Sequence, residues 1–528
     1  MVQVELADPA ITVHGWMPAW DHIGKYKLKI RKTPEELKQE KQRLKERYGT
    51  KAPKVNPMRF EDHTVIEHAE GDPSMVFFLP GLWPRVKGFF DQHDIKYEII
   101  ADNRNPAIRP AIDYEAIKDV EFRETQDLAL ALVATSDCGI IETTTSYGKS
   151  WLISVICKAF PTLHILICTS STQVVNTLYE YLCKQVPGQV GIVMGGKERV
   201  AGKRIVVSTL RSVSKIPVED VELLLCDEAH AVGHTQSGED LMKFCFCRRF
   251  GFTASPIRND GSQLALESIF GPTILKMSYD EAVQAGMVTP MKYTMLHCDW
   301  CPSICYKEDV SEVIMKRFAY WRNTARNRAV AQFVQDLHKA DKNAQILIMA
   351  ATLEHVVQIH MLLPWFVPAY YGDVDMEDLK RKFPKEKYPK FDPSKYKMKQ
   401  KDLDRVRGAF AKGTLRFVVS TTVFREGCNF VHLRALVRVD GATSKVLGIQ
   451  IPGRLARLDE DKDFGYLIDI DDDFCAWARR RAISRETLYK EQQWQRITPE
   501  EVLNDFRTKA TADNTDNPGW DNTEELQS

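Results

Sequence analysis

The segment GIIETTTSYGKSWLISVICKAF, residues 139–160, decides the fold. Its first residues form an apolar run of strand type, and Gly148, Lys149 and Ser150 then open a stretch whose apolar residues recur at helical spacing. A turn from a buried strand into a helix N-terminus aims backbone N–H groups at whatever lies in front of it, which suits an anion. In such a loop Lys149 reaches the β- and γ-phosphates of ATP, and Ser150 ligates Mg²⁺. Thr145, Ser146, Tyr147 and Gly148 form the backbone wrapped around the phosphates. The loop departs from the pattern GxxxxGK[ST] at its first glycine, where Thr143 stands. A GKS triplet also arises by chance, so on its own this loop leaves the nucleotide site open.

Outward from this segment the pattern strand, turn, helix repeats between residues 128 and 291, with HILICTS, GIVMGG, RIVVST, VELLLCDE and FGFTAS as further strands. Continuous apolar strands of this kind are buried on both faces, as in a parallel sheet covered by helices. A second series, QILIMAAT, RFVVSTT, ALVRV and FGYLIDI, runs from about residue 317 to 473. The expectation is an α/β fold with two tandem parallel-sheet domains. VELLLCDEAH then places Asp227 and Glu228 at the C-terminal end of a strand, where open α/β sheets bind ligands. Two adjacent carboxylates there are costly unless a cation neutralises them. Asp227 can hold Mg²⁺ through water, and Glu228 can orient or deprotonate an attacking water.

The order of further motifs resembles a superfamily 2 helicase of the DEAH type, in the XPB and UvsW-like branch. EFRETQ supplies Arg123 and Gln126, similar to the adenine-reading motif. GFTASPIRND supplies Thr253, Ala254 and Ser255, similar to the motif that couples hydrolysis to strand binding. VVSTTVFREGCNF carries Thr421 and Gly427, and QIPGRLARLDEDKD carries Gln450, Arg454 and Arg457 in the pattern QxxGRxxR. The match spans about residues 121–473. The resemblance implies two RecA-like domains. It makes Arg454 and Arg457, expected on one face of a helix, the arginine fingers for the γ-phosphate, and it gives His230 and Gly427 a part in the ATP site. By the same resemblance Thr169, Ser170, Ser208, Thr209 and Thr421 contact a phosphodiester backbone, contacts that carry no sequence information.

In 528 residues, Lys+Arg 72 balance Asp+Glu 72, so no whole-chain positive field can hold a polyanion, and a nucleic-acid site must be a local patch. The 12 cysteines lie mostly in apolar runs without a regular framework, as in a reducing compartment. No basic leader precedes an apolar segment, and no apolar run approaches the ~20 residues that cross a bilayer, so the expected location is cytoplasmic, with no membrane partner. The expected divisions are an N-terminal α+β module, 1–110, which is a candidate for DNA recognition and includes a solvated helix after Thr33; RecA-like domains at 111–312 and 313–485; and a C-terminal helix with a disordered acidic tail, 486–528. Residues 103–111 are the expected linker.

Two segments have double readings. The lysine-rich stretch 373–407, with Tyr388, Phe391 and Tyr396, is either a solvated insertion loop or a phosphate grip whose aromatics stack on bases. Cys298, Cys301 and Cys305 beside His297 could begin a zinc or iron–sulfur site, but the sequence offers no fourth ligand nearby, which favours unligated thiols. The resemblance implies an ATP-dependent DNA helicase or translocase that remodels duplex or branched DNA in recombination, repair or replication of a bacterial or phage-infected cell. An RNA-directed ATPase of the same superfamily, or a translocase subunit of a restriction system, would carry the same ATP motifs.

Overall fold

The computed structural model describes residues 1–7, 10–48, 58–102, 110–232, 236–244, 246–254, 261–298, 300–306, 310–370, 375–386, 388–389, 391–396, 398–421, 424, 430–443, 448–449, 452–459 and 461–513. Ser255, Gly427, Gln450, most of the expected linker and the acidic tail from 514 onward lie outside the described residues. The chain forms two compact units, Met1–Met287 and Val288–Ser528. No described helix is long and apolar enough to cross a membrane.

The first unit begins with a five-stranded sheet in the order Ile66–Ala69, Asp72–Phe78, Ile11–His14, Val2–Leu6, Tyr97–Asp102, in which only the last pairing is parallel. Alternating Val2, Val4 and Leu6 face one side, where they meet Val86 and Phe90 of the helix Trp83–Gln92 and the edge-to-face pair Trp16 and Trp20. Thr33 opens the helix Pro34–Tyr48 as expected: its hydroxyl accepts from Glu36 N, and Glu36 returns a carboxylate oxygen to Thr33 N.

This module is fused to the large sheet of the same unit. Gly81 sits so close to the helix Gln263–Phe270 that a Cβ there would lie 2.4 Å from Ser268 O. Leu264 of that helix belongs to the module's core, and Arg85 grips Glu267 through two hydrogen bonds of 2.8 and 2.5 Å.

The large sheet runs Lys197–Arg199, Val190–Met194, Ile205–Thr209, Ile165–Thr169, Leu223–Asp227, Arg248–Thr253, Cys138–Glu142, Thr273–Lys276. All neighbours are parallel except the first pair. Ile165–Thr169, Leu223–Asp227 and Arg248–Thr253 are buried at every position, which is why they read as unbroken apolar runs rather than alternating ones.

The second unit holds a seven-stranded sheet, parallel throughout: Val367–Ala369, Phe417–Ser420, Gln345–Met349, Leu433–Arg438, Gly465–Asp472, Met291–Cys298, Gln495–Arg496. The sequence reading put residues up to 312 in the first RecA-like domain. The strand Met291–Cys298 instead pairs along its whole length with Gly465–Asp472, because its apolar face completes the second core. The C-terminal segment is also part of this unit: Gln495–Arg496 is an edge strand, and Val502 and Phe506 of the helix Pro499–Asp513 enter the same core.

The lysine-rich stretch is neither a plain loop nor a stacking surface. Leu379, Phe383, Phe391 and Tyr396 form a small core with Val357 and Tyr370, and His360 bonds the Tyr396 hydroxyl at 2.6 Å. Phe391 and Tyr396 are spent on packing and cannot receive bases, while Lys380, Lys385, Lys395 and Lys399 remain on the outside.

Candidate nucleotide site

The parallel register brings the ends of three central strands level. Asp227 lies opposite Phe252, and Thr253 opposite Glu142, so the loop after Cys138–Glu142 rises beside Asp227 and Thr253. Within that loop Ser146 (φ 75°) and Gly148 (φ 94°) take left-handed backbone, which glycine adopts freely and serine rarely. Two carbonyls fix the lysine: Lys149 is 9% exposed and its Nζ donates to Thr144 O at 2.9 Å and Thr143 O at 3.2 Å. Thr143 N donates to Thr253 O at 3.0 Å, tying the loop to the neighbouring strand. The helix Lys149–Ala159 begins with no side-chain cap, so the N–H groups of its first turn point into the loop. The Thr143 and Thr144 hydroxyls are buried and have no hydrogen-bond partner among the described residues. The sequence reading treated Thr143 only as a departure from the glycine pattern.

Asp227 is 5% exposed, and its carboxyl is pushed up to about 7 by burial and then by the charge of Glu228. Lys149, the Glu228 N–H at 3.0 Å and His230 pull the other way without balancing it. Glu228 has φ 54°, a left-handed conformation that costs a non-glycine residue about 1–3 kcal/mol and is kept where surroundings demand it. His230 Nδ1 lies 3.2 Å from Glu228 Oε2 and 3.2 Å from Thr253 Oγ1, so it joins the second carboxylate to the strand that ends at Ala254. These groups fit a nucleotide with a divalent cation. The uncapped turn and Lys149 suit phosphates, and a buried carboxyl held protonated near neutrality by an adjacent carboxylate suits a cation.

Gln126 is brought to the same place. It is buried, its Nε2 donates to Tyr147 O at 2.8 Å, and its Oε1 accepts from Arg123 N at 3.0 Å. The Arg123 side chain is exposed. Tyr147 is fully buried with its hydroxyl 3.2 Å from Thr125 Oγ1, so only its backbone can face a ligand. Ser150 is exposed and Thr145 half-buried.

The expected nucleic-acid residues divide. Ser170 is exposed at the end of its strand. Thr169, Ser208 and Thr209 are buried; Ser208 Oγ donates to Val193 O at 3.0 Å, and Thr209 Oγ1 donates to Ser212 Oγ at 3.0 Å. Those two hydroxyls are engaged inside the fold and are not offered to a partner.

In the second unit Thr421 is half-buried, its N–H held by Ala369 O at 3.0 Å. The helix expected to carry both arginines is a single 3₁₀ turn, Pro452–Arg454, because Thr289 pins the residues just beyond it: Thr289 N donates to Ala456 O, and Thr289 Oγ1 to Arg457 O. Arg454 is buried, 6.0 Å from the Phe430 ring centre, and Arg457 lies beyond the turn. The sequence reading missed Lys462, hidden in the charged run DEDKD. It is buried, donates to Val431 O at 2.9 Å, and is pushed down to about 8 by that burial.

Comparison with known proteins agrees with this arrangement. Residues 113–258 match the family described as type III restriction enzyme, res subunit, and residues 327–459 match the helicase conserved C-terminal domain. A protein of Sulfolobus islandicus filamentous virus (isolate Iceland/Hveragerdi), provisionally named helicase 22, is 21% identical over 258 residues. The match spans 48% of this chain and 43% of that relative, less than half its length. Among solved structures, Dbp5 of S. cerevisiae, bound to RNA and ADP BeF3, is 13% identical with a TM-score of 0.50 over 75% of this chain and 96% of that one. UvsW of T4 is 14% identical with a TM-score of 0.37 over 94% and 98%. The first of these likenesses is one of fold, two RecA-like parallel sheets. With both helicase domains matched in tandem on those sheets, the chain resembles the superfamily 2 helicases.

Proposed function

We propose that the chain is an ATP-dependent DNA helicase or translocase that remodels duplex or branched DNA. The observation that carries the reading is the Asp227–Glu228 pair beside Lys149, two carboxylates and one lysine at level strand ends. In this proposal the first turn of the helix Lys149–Ala159 and Lys149 hold the phosphates, Gln126 and Arg123 hold the base, and Glu228 orients and deprotonates the attacking water. Ser150 and Asp227 would hold Mg²⁺, which neutralises charge on the transferring phosphoryl group. Arg454 and Arg457 enter from the sequence resemblance as the arginines acting on charge in the transition state. Ser170 and Thr421 are the proposed backbone contacts, and Thr253 and Ala254 the coupling strand end, with His230 as the link to Glu228.

DNA as the polymer is supported by the match to the restriction-enzyme res-subunit family over residues 113–258. The test is ATP hydrolysis in the presence of single-stranded DNA, duplex, fork, four-way junction and RNA at one salt concentration, with Lys149→Ala as control. Stimulation by duplex or branched DNA well above RNA is expected, with none in the control. Stimulation by RNA alone would replace this reading with an RNA-directed one.

A further inference from the structure

The cysteines near the start of the second unit do not stand alone in space. The strand Met291–Cys298 pairs Cys298 with Asp472, and Cys298 O accepts from Asp473 N at 3.0 Å. That register carries the segment after Cys298 alongside the connection that ends at Cys475, the N-cap of the helix Ala476–Glu491. Cys301, Cys305 and Cys475 accordingly pack against one face of the second core, all three half-buried. The Cys305 thiol is within hydrogen-bonding reach of both the Cys475 and the Cys301 thiols. The fourth cysteine that the sequence could not supply is thus Cys475, far along the chain. Yet no group of three or more His, Cys, Asp or Glu among the described residues is placed to hold a metal ion. Paired thiols that do not converge on a metal have another chemistry open to them.

We infer that Cys305 and Cys475 form a thiol pair that closes reversibly to a disulfide by exchange with small disulfides of the glutathione class. Cys475 is suited to attack first: it is half-buried beside exposed Ala476, at a helix N-terminus where backbone N–H groups favour a negative sulfur. Its thiolate attacks one sulfur of the small disulfide, forming a mixed disulfide and releasing one small thiol. Cys305, whose proton is held by burial and by its neighbouring thiols, then gives that proton to solvent, attacks the Cys475 sulfur and displaces the second small thiol. Two protein thiols and one small disulfide become one protein disulfide and two small thiols. Cys301 stands beside Cys305 as an alternative acceptor. The link would staple the segment after Met291–Cys298 to the start of the helix Ala476–Glu491, closing a long loop in the denatured chain.

The test uses the full reduced chain incubated with oxidised glutathione, alkylated, digested and mapped by mass spectrometry. The expected product is a Cys305–Cys475 linked peptide, removed by dithiothreitol, absent in Cys475→Ser and retained in Cys183→Ser. The oxidised wild type should unfold about a few degrees higher, a shift that reductant reverses and Cys475→Ser never shows. Recovery of Cys305 and Cys475 as unlinked residues, separately alkylated or separately carrying glutathione, overturns the inference, as does a Cys301–Cys305 link found in place of it. Because the peptide map of the wild type decides, the result does not depend on any variant folding.

Discussion

The two parallel sheets both bury charge near the C-terminal ends of their strands, and they treat it in opposite ways. In the second sheet, Arg326 bonds Asp472 at 2.6 and 3.3 Å, Arg485 bonds Asp469 at 2.9 Å, and Arg438 reaches Asp440 at 3.2 Å and the Tyr489 hydroxyl at 2.9 Å. Burial pushes Asp469 up, but Arg485 and Arg438, with hydrogen bonds from Arg485 and Tyr489, outweigh it and hold that carboxyl below its ordinary value. In the first sheet the balance runs the other way, and Asp227 is left at about 7. The same fold can therefore neutralise a buried carboxylate when nothing else is to bind there. Leaving one under-neutralised beside Lys149 marks where an outside charge belongs.

The sharpest way to break this contrast is at Glu228. Glu228→Gln keeps size and loses the base, so turnover should fall about 10²–10⁴-fold while nucleotide binding persists. Phosphate release measured beside a fluorescent-nucleotide titration decides; a loss of only a few-fold would remove Glu228 from its role.

Next in size is stability. Asp469→Asn strands Arg485 and Arg438 in the core and should cost about 3–5 kcal/mol by denaturant unfolding. Asp227→Asn should cost nothing at pH 8, or raise stability, while ending ATP hydrolysis. Equal destabilisation by both would erase the distinction between the sheets.

The same carboxyl predicts a pH dependence. Its value in the folded protein lies above the ordinary 3.8, so its contribution is fully present below about pH 4 and is lost as pH rises through about 7. In chelator, wild type should lose on the order of a few kcal/mol across that window relative to Asp227→Asn, whose unfolding curve should be flatter. Parallel curves for the two would mean that Asp227 is charged throughout. The smallest effect belongs to an exposed pair: Arg85→Ala should cost about 0.2–1 kcal/mol despite its two hydrogen bonds to Glu267, because solvent screens it.

Much of this was legible in the chain. Strands buried on both faces announce themselves as apolar runs, and GKS and DEAH each fall at a strand end, where the fold puts ligands. The features that stayed hidden depended on pairing across long separations. Met291–Cys298 reads like any other strand, and only its match to Gly465–Asp472 assigns it to the second unit. Ser208 and Thr209 are ordinary strand-end hydroxyls until Val193 O and Ser212 are seen to occupy them. The expected helix for Arg454 and Arg457 rested on their spacing alone, whereas backbone bonds from Thr289 decide that segment's path. Lysines around Phe391 and Tyr396 suggested a polymer grip because composition cannot tell an aromatic that faces out from one that closes a small core.

Gly81 bears on how the molecule can be cut. With its Cα against Ser268 O and Glu267 O, no side chain fits there, and Leu264 is shared between the module's interior and the helix Gln263–Phe270. A fragment starting after residue 110 would expose Leu264 to water and leave Glu267 without Arg85. The smallest piece expected to be made intact in a cell is therefore Met1–Met287 rather than the nucleotide sheet alone, and a damaging substitution in the first 90 residues should reach the ATP loop as loss of folded protein rather than as loss of a contact.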